Sequence, residues 1–482
     1  MDLLTGLEPD RVFYFFEAVS DIPRGSGQTE GVRDFLVRFS EERGLEAVTD
    51  DAGNVLIRKA ASEGYEASPA VILQAHMDMV CVKTPESDHD FTKDALDLFV
   101  EGDMLYANGT TLGADDGIGM AMILAVLDDD SLAHPPIEAL FTNDEEIGLL
   151  GAAGFDASVF KGRRMINLDS ETEGELTCGC AGGETIFCVL PVEKIRMKGL
   201  PVVITISGLK GGHSGAEIHC WRANANKLAA RLLNEIQSVA AYSLESISGG
   251  EKDNAIPTEA RIRLVIDEED YQPIVKAVES FEKSVRREFR GIDDGIRVKL
   301  ERGTVHKVDV LSMDSQDKVF GLLLCLPNGI FNMSGTTPGM VQTSCNLGVV
   351  RTGETEFVCT IGARSSVLSG RSALELQIRA LAEMFGAAVR TESAYPAWEF
   401  RENSALRDTM SSVYEEMYGK APAIVTIHAG LECGLFTSAV RGLDAVSMGC
   451  TVLNIHTPAE KLSISSTART WDYLKQVLAS LK

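Results

Sequence analysis

Positive charge is scarce in this chain: 45 Lys and Arg stand against 71 Asp and Glu over 482 residues, a formal net charge of −26. A balance of that sign repels phosphate backbones and anionic lipid surfaces, which argues against nucleic acid or membrane partners. Long hydrophobic runs are missing too. The longest apolar window, residues 120–127, stops at Asp128-Asp129-Asp130, well short of the roughly 18 residues that suggest a helical span. No basic segment precedes an apolar one in Met1-Asp2-Leu3-Leu4-Thr5-Gly6-Leu7-Glu8, so no cleaved secretion signal is expected and the reading is cytoplasmic. The ten cysteines are scattered, and Cys178-Gly179-Cys180 has no second CxC or CxxC to complete a zinc site. They read as reduced, buried thiols. No GK[ST] follows the glycines at 211 and 212, and no GxSxG elbow pairs with a suitable histidine, which disfavours a phosphate loop and a serine hydrolase.

What is abundant is carboxylate, placed at the ends of apolar stretches. Asn143-Asp144-Glu145-Glu146 lies between Asp115-Asp116 upstream and Asn167-Leu168-Asp169 downstream, with His76 in Gln74-Ala75-His76-Met77-Asp78 and His456 in Asn454-Ile455-His456-Thr457-Pro458. Acids that converge away from water must be relieved by protons or cations. Two imidazoles and at least four acids fit two zinc ions sharing a carboxylate, with a glutamate left over as a base.

A hydrophobic content of 45% and a charged content of 24% describe a soluble globular protein, and the length suggests roughly two to four domains. Helical patterns at residues 10–21 and 29–43 and strand patterns at 45–49 and 55–59, around the turn formers Asp51-Ala52-Gly53-Asn54, predict an α/β sheet domain opening on a hairpin. Strands at 69–80, 136–142 and 164–168 each deliver a histidine or acids at their C-terminal ends, where open α/β sheets bind ligands. Residues 117–127 read as a buried helix. From about residue 190 to 390 separate strands alternate with longer helices, an α+β insertion, and helix and strand alternation resumes near residue 403. The expected division is 1–188, 189–397 and 398–482, with the first domain discontinuous.

Each residue also has a plainer reading. A lone HxD such as His76 and Asp78 is compatible with a hydrogen-bonded core histidine, although Asp78 two residues on can fix the imidazole tautomer. Asp115 is a natural helix N-cap, a role Asp116 can take while Asp115 faces a cavity. Adjacent glutamates are usually a solvated face, yet Glu145-Glu146 follows an apolar strand. Asp169, buried bare, is costly without a partner. Taken jointly, the five ligand-type residues with a spare glutamate favour a metal site.

The motifs QAHMDMV, TLGADDGIG, TNDEEIG, INLDSE and NIHTPAE, supported by GLKGGHSGAEIH, NAIP and HAGLECG, resemble those of zinc-dependent dipeptidases of the aminoacyl-histidine dipeptidase (peptidase D) type, related to carnosinases, peptidase T and glutamate carboxypeptidases. The resemblance covers nearly the whole chain. It implies a discontinuous dizinc peptidase domain, a mixed sheet flanked by helices, with an inserted lid. Asp115 would bridge two zinc ions, with cobalt or manganese as substitutes. His76 and Asp169 would complete one site and Glu146 and His456 the other, with Glu145 as general base and Asp78 orienting His76. Gly211-Gly212-His213-Ser214-Gly215 resembles a loop that gives a histidine to the tetrahedral intermediate, in some relatives from a partner subunit, which implies a homodimer; a flexible glycine turn is its plainer reading. Asn254 is a second candidate oxyanion donor. Arg364 is a ligand for a substrate carboxylate or a solvated lid arginine, and Glu432 a ligand for a substrate amine or part of a structural turn. The activity implied is hydrolysis of small dipeptides, including those with C-terminal histidine. Its rivals are an N-acyl amino acid deacylase on the same scaffold and a metal-dependent binding protein without turnover, the latter hard to square with a spare base.

Overall fold

Four short apolar runs that end in polar residues form the centre of the first unit. Ile137–Thr142, Val71–His76, Arg164–Asn167 and Asp444–Ser447 lie side by side, all parallel and almost wholly buried. Parallel strands covered on both faces read as continuous hydrophobic stretches rather than alternating ones. The structure, a computed structural model, describes residues 4–335 and 337–482. The hairpin Glu46–Thr49 and Val55–Lys59 extends the sheet antiparallel on one side, with Gly53 at φ +85° in its turn. Glu175–Cys180 and Ala423–Ile427 complete eight strands on the other.

Helix Asp10–Ser20 turns Val12, Phe13, Phe15, Phe16 and Val19 into the core, the stripe its spacing predicts. Helix Ala114–Asp128 is buried on all sides. The Lys59 ammonium reaches the end of that helix and donates to the carbonyls of Val126, Leu127 and Asp129 at 3.2, 3.0 and 2.9 Å, complementing the helix dipole. A separate four-stranded sheet joins Leu98–Glu101 and Met104–Ala107 to Lys461–Ser463 and Val452–Leu453. The sequence shows no sign of this sheet, because its strands are two to four residues long. Its last connection holds His456.

The chain divides into two compact units, the first comprising Met1–Cys180, Trp398–Thr426 and Leu431–Lys482, the second Ala181–Ala397 and Ile427–Gly430. The second unit is an antiparallel sheet with helices Ala225–Gln237, Tyr271–Glu288, Met313–Cys325 and Leu368–Met384, and it has its own hydrophobic core. Tyr271–Glu288 buries Ile274, Val278, Phe281 and Val285 at helical spacing. The protein is therefore a mixed-sheet α/β unit interrupted by an α+β insertion. The brief return at 427–430 leaves no compositional trace in the sequence.

Candidate metal and catalytic site

The site residues of the first unit arrive on the C-terminal ends of three parallel strands. Val71–His76 ends on His76; Ile137–Thr142 leads into Glu145 and Glu146; Arg164–Asn167 leads into Asp169. Asp115 comes from the start of the buried helix. It and Asp116 have non-helical backbone angles, so the regular helix begins at Gly117. Asp116 accepts the Gly119 N–H at 3.2 Å, an N-cap bond that leaves Asp115 free to face the site.

Asp115 sits between the two histidines. Its Oδ1 lies 3.1 Å from His76 Nε2 and its Oδ2 lies 3.1 Å from His456 Nε2. Each imidazole meets one further acid: His76 Nε2 is 3.5 Å from Asp169 Oδ1, and His456 Nε2 is 2.9 Å from Glu146 Oε1. Ligand atoms of His76, Asp115 and Glu146 all fall within 4.8 Å of one another. The five residues proposed from the sequence as metal ligands are thus brought together, in two groups that share Asp115.

The electrostatics have one dominant feature. Burial pushes Asp169 up to about 7, aided by repulsion from Asp115 and Glu171. Burial also raises Glu145 well above the carboxylate range, with Asp169, Glu146 and Glu432 adding to it. Glu171, the last residue of INLDSE, keeps an exposed surface, yet partial desolvation beside the site and the charges of Asp115 and Glu146 raise its carboxyl. His456 is lifted to about 11 by Asp115 and Glu146, and His76 is raised against its own burial by Asp169, Asp115 and Asp78. Divalent cations would replace the protons that these raised groups favour. Imidazole nitrogen and carboxylate oxygen are donors that zinc accepts, so the residues fit metal ions.

Asp78 meets both His76 and the turn that carries the glutamates. His76 Nδ1 is 3.0 Å from the Asp78 carbonyl and 3.6 Å from its carboxylate. The carboxylate oxygens accept the backbone N–H groups of Glu145 and Glu146 at 2.9 and 3.2 Å and the Ser26 hydroxyl at 2.7 Å. Burial works against Asp78, but His76, Ser26 and the Glu145 N–H hold it down at about 2. One buried side chain thereby fixes the turn that presents both glutamates.

Glu432 is tied to the strand ends of the first unit. It is wholly buried, and its Oε2 accepts from Gln74 Nε2 and Thr142 Oγ1, both at 2.6 Å. Glu432 starts a helix packed under the sheet, so it supports the strand ends from below; the apolar pattern around HAGLECG gave no sign of that depth. Within the second unit, His213 and Asn254 come from adjoining segments: the Ser214 N–H donates to the Asn254 carbonyl at 2.8 Å and His213 bridges to Ala255. A Cβ built on Gly215 would lie 3.0 Å from the His213 ring and 3.2 Å from Arg364 Nε, so that unit also gathers Arg364 near His213. Arg364 donates to the Tyr395 hydroxyl at 2.7 Å.

Residues 72–480 match the family described as Peptidase family M20/M25/M40. The chain belongs to this family. It is accordingly a peptidase, a hydrolase of peptide bonds. It is 36% identical over 485 residues to the cytosol non-specific dipeptidase of Escherichia coli (strain K12), with 100% of this chain and 99% of that protein covered. Among solved structures it superposes on the aminoacylhistidine dipeptidase of Vibrio alginolyticus with a TM-score of 0.86 and 37% identity, covering 98% of this chain and 97% of that one. Aminopeptidase PepT of Bacillus cereus shares the fold at 16% identity and a TM-score of 0.56, covering 98% and 99%. Among the described residues no helix is long and apolar enough to cross a membrane.

Proposed function

We propose that the protein is a dizinc dipeptidase, acting on dipeptides that include those with C-terminal histidine. The main support is the arrangement of Asp115, whose two oxygens each face a histidine that meets its own second acid. Full-length likeness to two dipeptidases supports the same reading and does not favour an N-acyl amino acid deacylase. His76, Asp115 and Asp169 would hold one cation and Asp115, Glu146 and His456 the other. Such ions, when bound, polarise a carbonyl and make water more acidic.

The chain's own groups do the rest. Glu145 takes the proton of the attacking water as its oxygen bonds to the peptide carbon, then gives that proton to the amine nitrogen as the C–N bond breaks. Burial and neighbouring acids raise the proton affinity of Glu145, which suits it to accept the proton once bound cations offset the charges of Asp169 and Glu146. Asp78 keeps Glu145 in place through its backbone N–H. From the sequence resemblance, and in keeping with their gathering in one unit, we read His213 and Asn254 as oxyanion donors and Arg364 as the ligand of the substrate carboxylate. On this reading residues 1–188 and 398–482 form the catalytic domain and 189–397 a lid, in a cytoplasmic homodimer.

Glu145→Gln tests the core of the proposal. Zinc content should stay unchanged while turnover of an alanyl-histidine dipeptide falls about 100- to 10,000-fold, the range for loss of a general base. Near-normal turnover would remove Glu145 from that role. Assaying N-acetyl amino acids beside free dipeptides separates the two hydrolase readings, since only the deacylase would prefer the acetylated compounds.

A further inference from the structure

The stretch Leu112-Gly113-Ala114-Asp115 precedes the regular helix, so none of its backbone N–H groups can find a helical acceptor. All four point at one carboxylate. Glu460 Oε2 accepts from Leu112 and Gly113 at 2.9 and 3.1 Å, and Oε1 accepts from Ala114 and Asp115 at 2.8 and 3.4 Å. Successive amides converging in this way form an anion nest, here filled by a side chain of the same protein. Glu460 is 2% exposed and lies four residues beyond His456.

A buried cation completes the arrangement. Arg24, 1% exposed, donates Nη1 to the carbonyls of Met77 and Asp78 at 3.0 and 3.2 Å, and Nη2 to the Gly113 carbonyl. Room for it depends on glycine. A Cβ on Gly113 would lie 2.7 Å from both Arg24 Nη2 and Met79 Sδ, and one on Gly117 would lie 2.5 Å from Arg24 Nη2. Arg24 therefore ties the end of the His76 strand to the loop bearing Asp115, and Glu460 ties that loop to the segment bearing His456.

We infer that Glu460, with Arg24, is a positioning residue of the metal centre, holding Asp115 at the place where its two oxygens can serve both histidines. The inference rests on the dizinc reading above. Partners that orient metal ligands change affinity by about 10- to 100-fold when removed.

The test compares zinc affinity of the metal-free full-length protein, read by competition with a chromogenic chelator, across four variants. Glu460→Gln turns an N–H donor toward the nest and should weaken zinc binding about 10- to 100-fold. Glu460→Asp keeps the charge and should recover part of that loss. Arg24→Lys keeps its charge but loses the fork and should weaken binding as well; these two conservative variants decide the matter where Glu460→Gln does not fold. Val477→Ala, a core truncation in helix Ile464–Ser480, lowers stability without touching a ligand segment and should leave zinc affinity unchanged. Glu460→Gln with wild-type affinity, Glu460→Asp and Arg24→Lys both at wild-type affinity, or Val477→Ala with an equal loss would overturn the inference. Wild-type protein that binds no zinc would instead overturn the metal reading itself.

Discussion

Replacing Asp78 with Asn separates two roles that its position allows. The side chain is fully buried, and its two oxygens receive the Glu145 N–H at 2.9 Å and the Glu146 N–H at 3.2 Å. Asn keeps one acceptor and turns an amide donor toward the other N–H. A hydrogen bond to a charged acceptor contributes about 1.5 to 3 kcal/mol, so the loss is about 2 kcal/mol. If that loss falls on the placement of Glu145 in the transition state, about 1.4 kcal/mol per decade makes it roughly a 30-fold fall in kcat. Steady-state kinetics on a free dipeptide, run at zinc concentrations that saturate both wild type and variant, isolate the effect. We expect kcat to fall by that factor with zinc affinity changed much less. A variant whose kcat is restored fully by excess zinc would show that Asp78 acts through His76 alone, and the reasoning about the glutamate turn would be refuted.

Gly113→Ala places a methyl against Arg24 and Met79 at a left-handed residue, φ +64° and ψ +31°; chemical denaturation should show a loss of about 2 kcal/mol or more, and an unchanged midpoint would contradict the packing described. In the second unit His428 is held down at about 3 by burial and by the charges of Arg364 and His213, while Ser344 Oγ lies 2.7 Å from its Nε2. Its folded value lies below the unfolded one of about 6.5, so the unfolded chain binds the extra proton between those limits, and the stabilisation present above pH 6.5 is lost as pH falls toward 3. Urea unfolding from pH 7 to 4 should therefore show a slope shallower in His428→Gln than in wild type by up to about 1.4 kcal/mol per pH unit, and equal slopes would count against a neutral buried His428.

Much of the catalytic unit was legible because its central strands are short apolar runs that end abruptly in acids or histidine. His76, Glu145, Glu146 and Asp169 stand at such endings, and parallel packing necessarily brings those endings to one edge. Asp115 was legible through the acid pair at the head of a buried helix, and the structure gives the cap to Asp116 as that pattern allows. Other features leave no local signal. Arg24 resembles any arginine until tertiary contacts bury it, and Glu460, although it closes the NIHTPAE motif, does not announce there that it is buried against the loop of Asp115. Glu432 reads from the sequence as a ligand for a substrate amine or part of a structural turn, and no local pattern announces the hydrogen bonds from Gln74 and Thr142 that accompany its burial. His456 sits at φ +61° and Asn454 at φ +57°, in the loop between two strands of the small sheet, and both are residue types that enter this left-handed region more readily than most.

The most direct test of the account is the number of cations the chain needs. Protein stripped with a chelator should be inactive, and titration with zinc in a calorimeter should show two ions bound per chain, with activity returning as they bind. Asp115→Ala should impair both binding events. Full dipeptidase activity in stripped protein that elemental analysis finds free of transition metal would contradict the account.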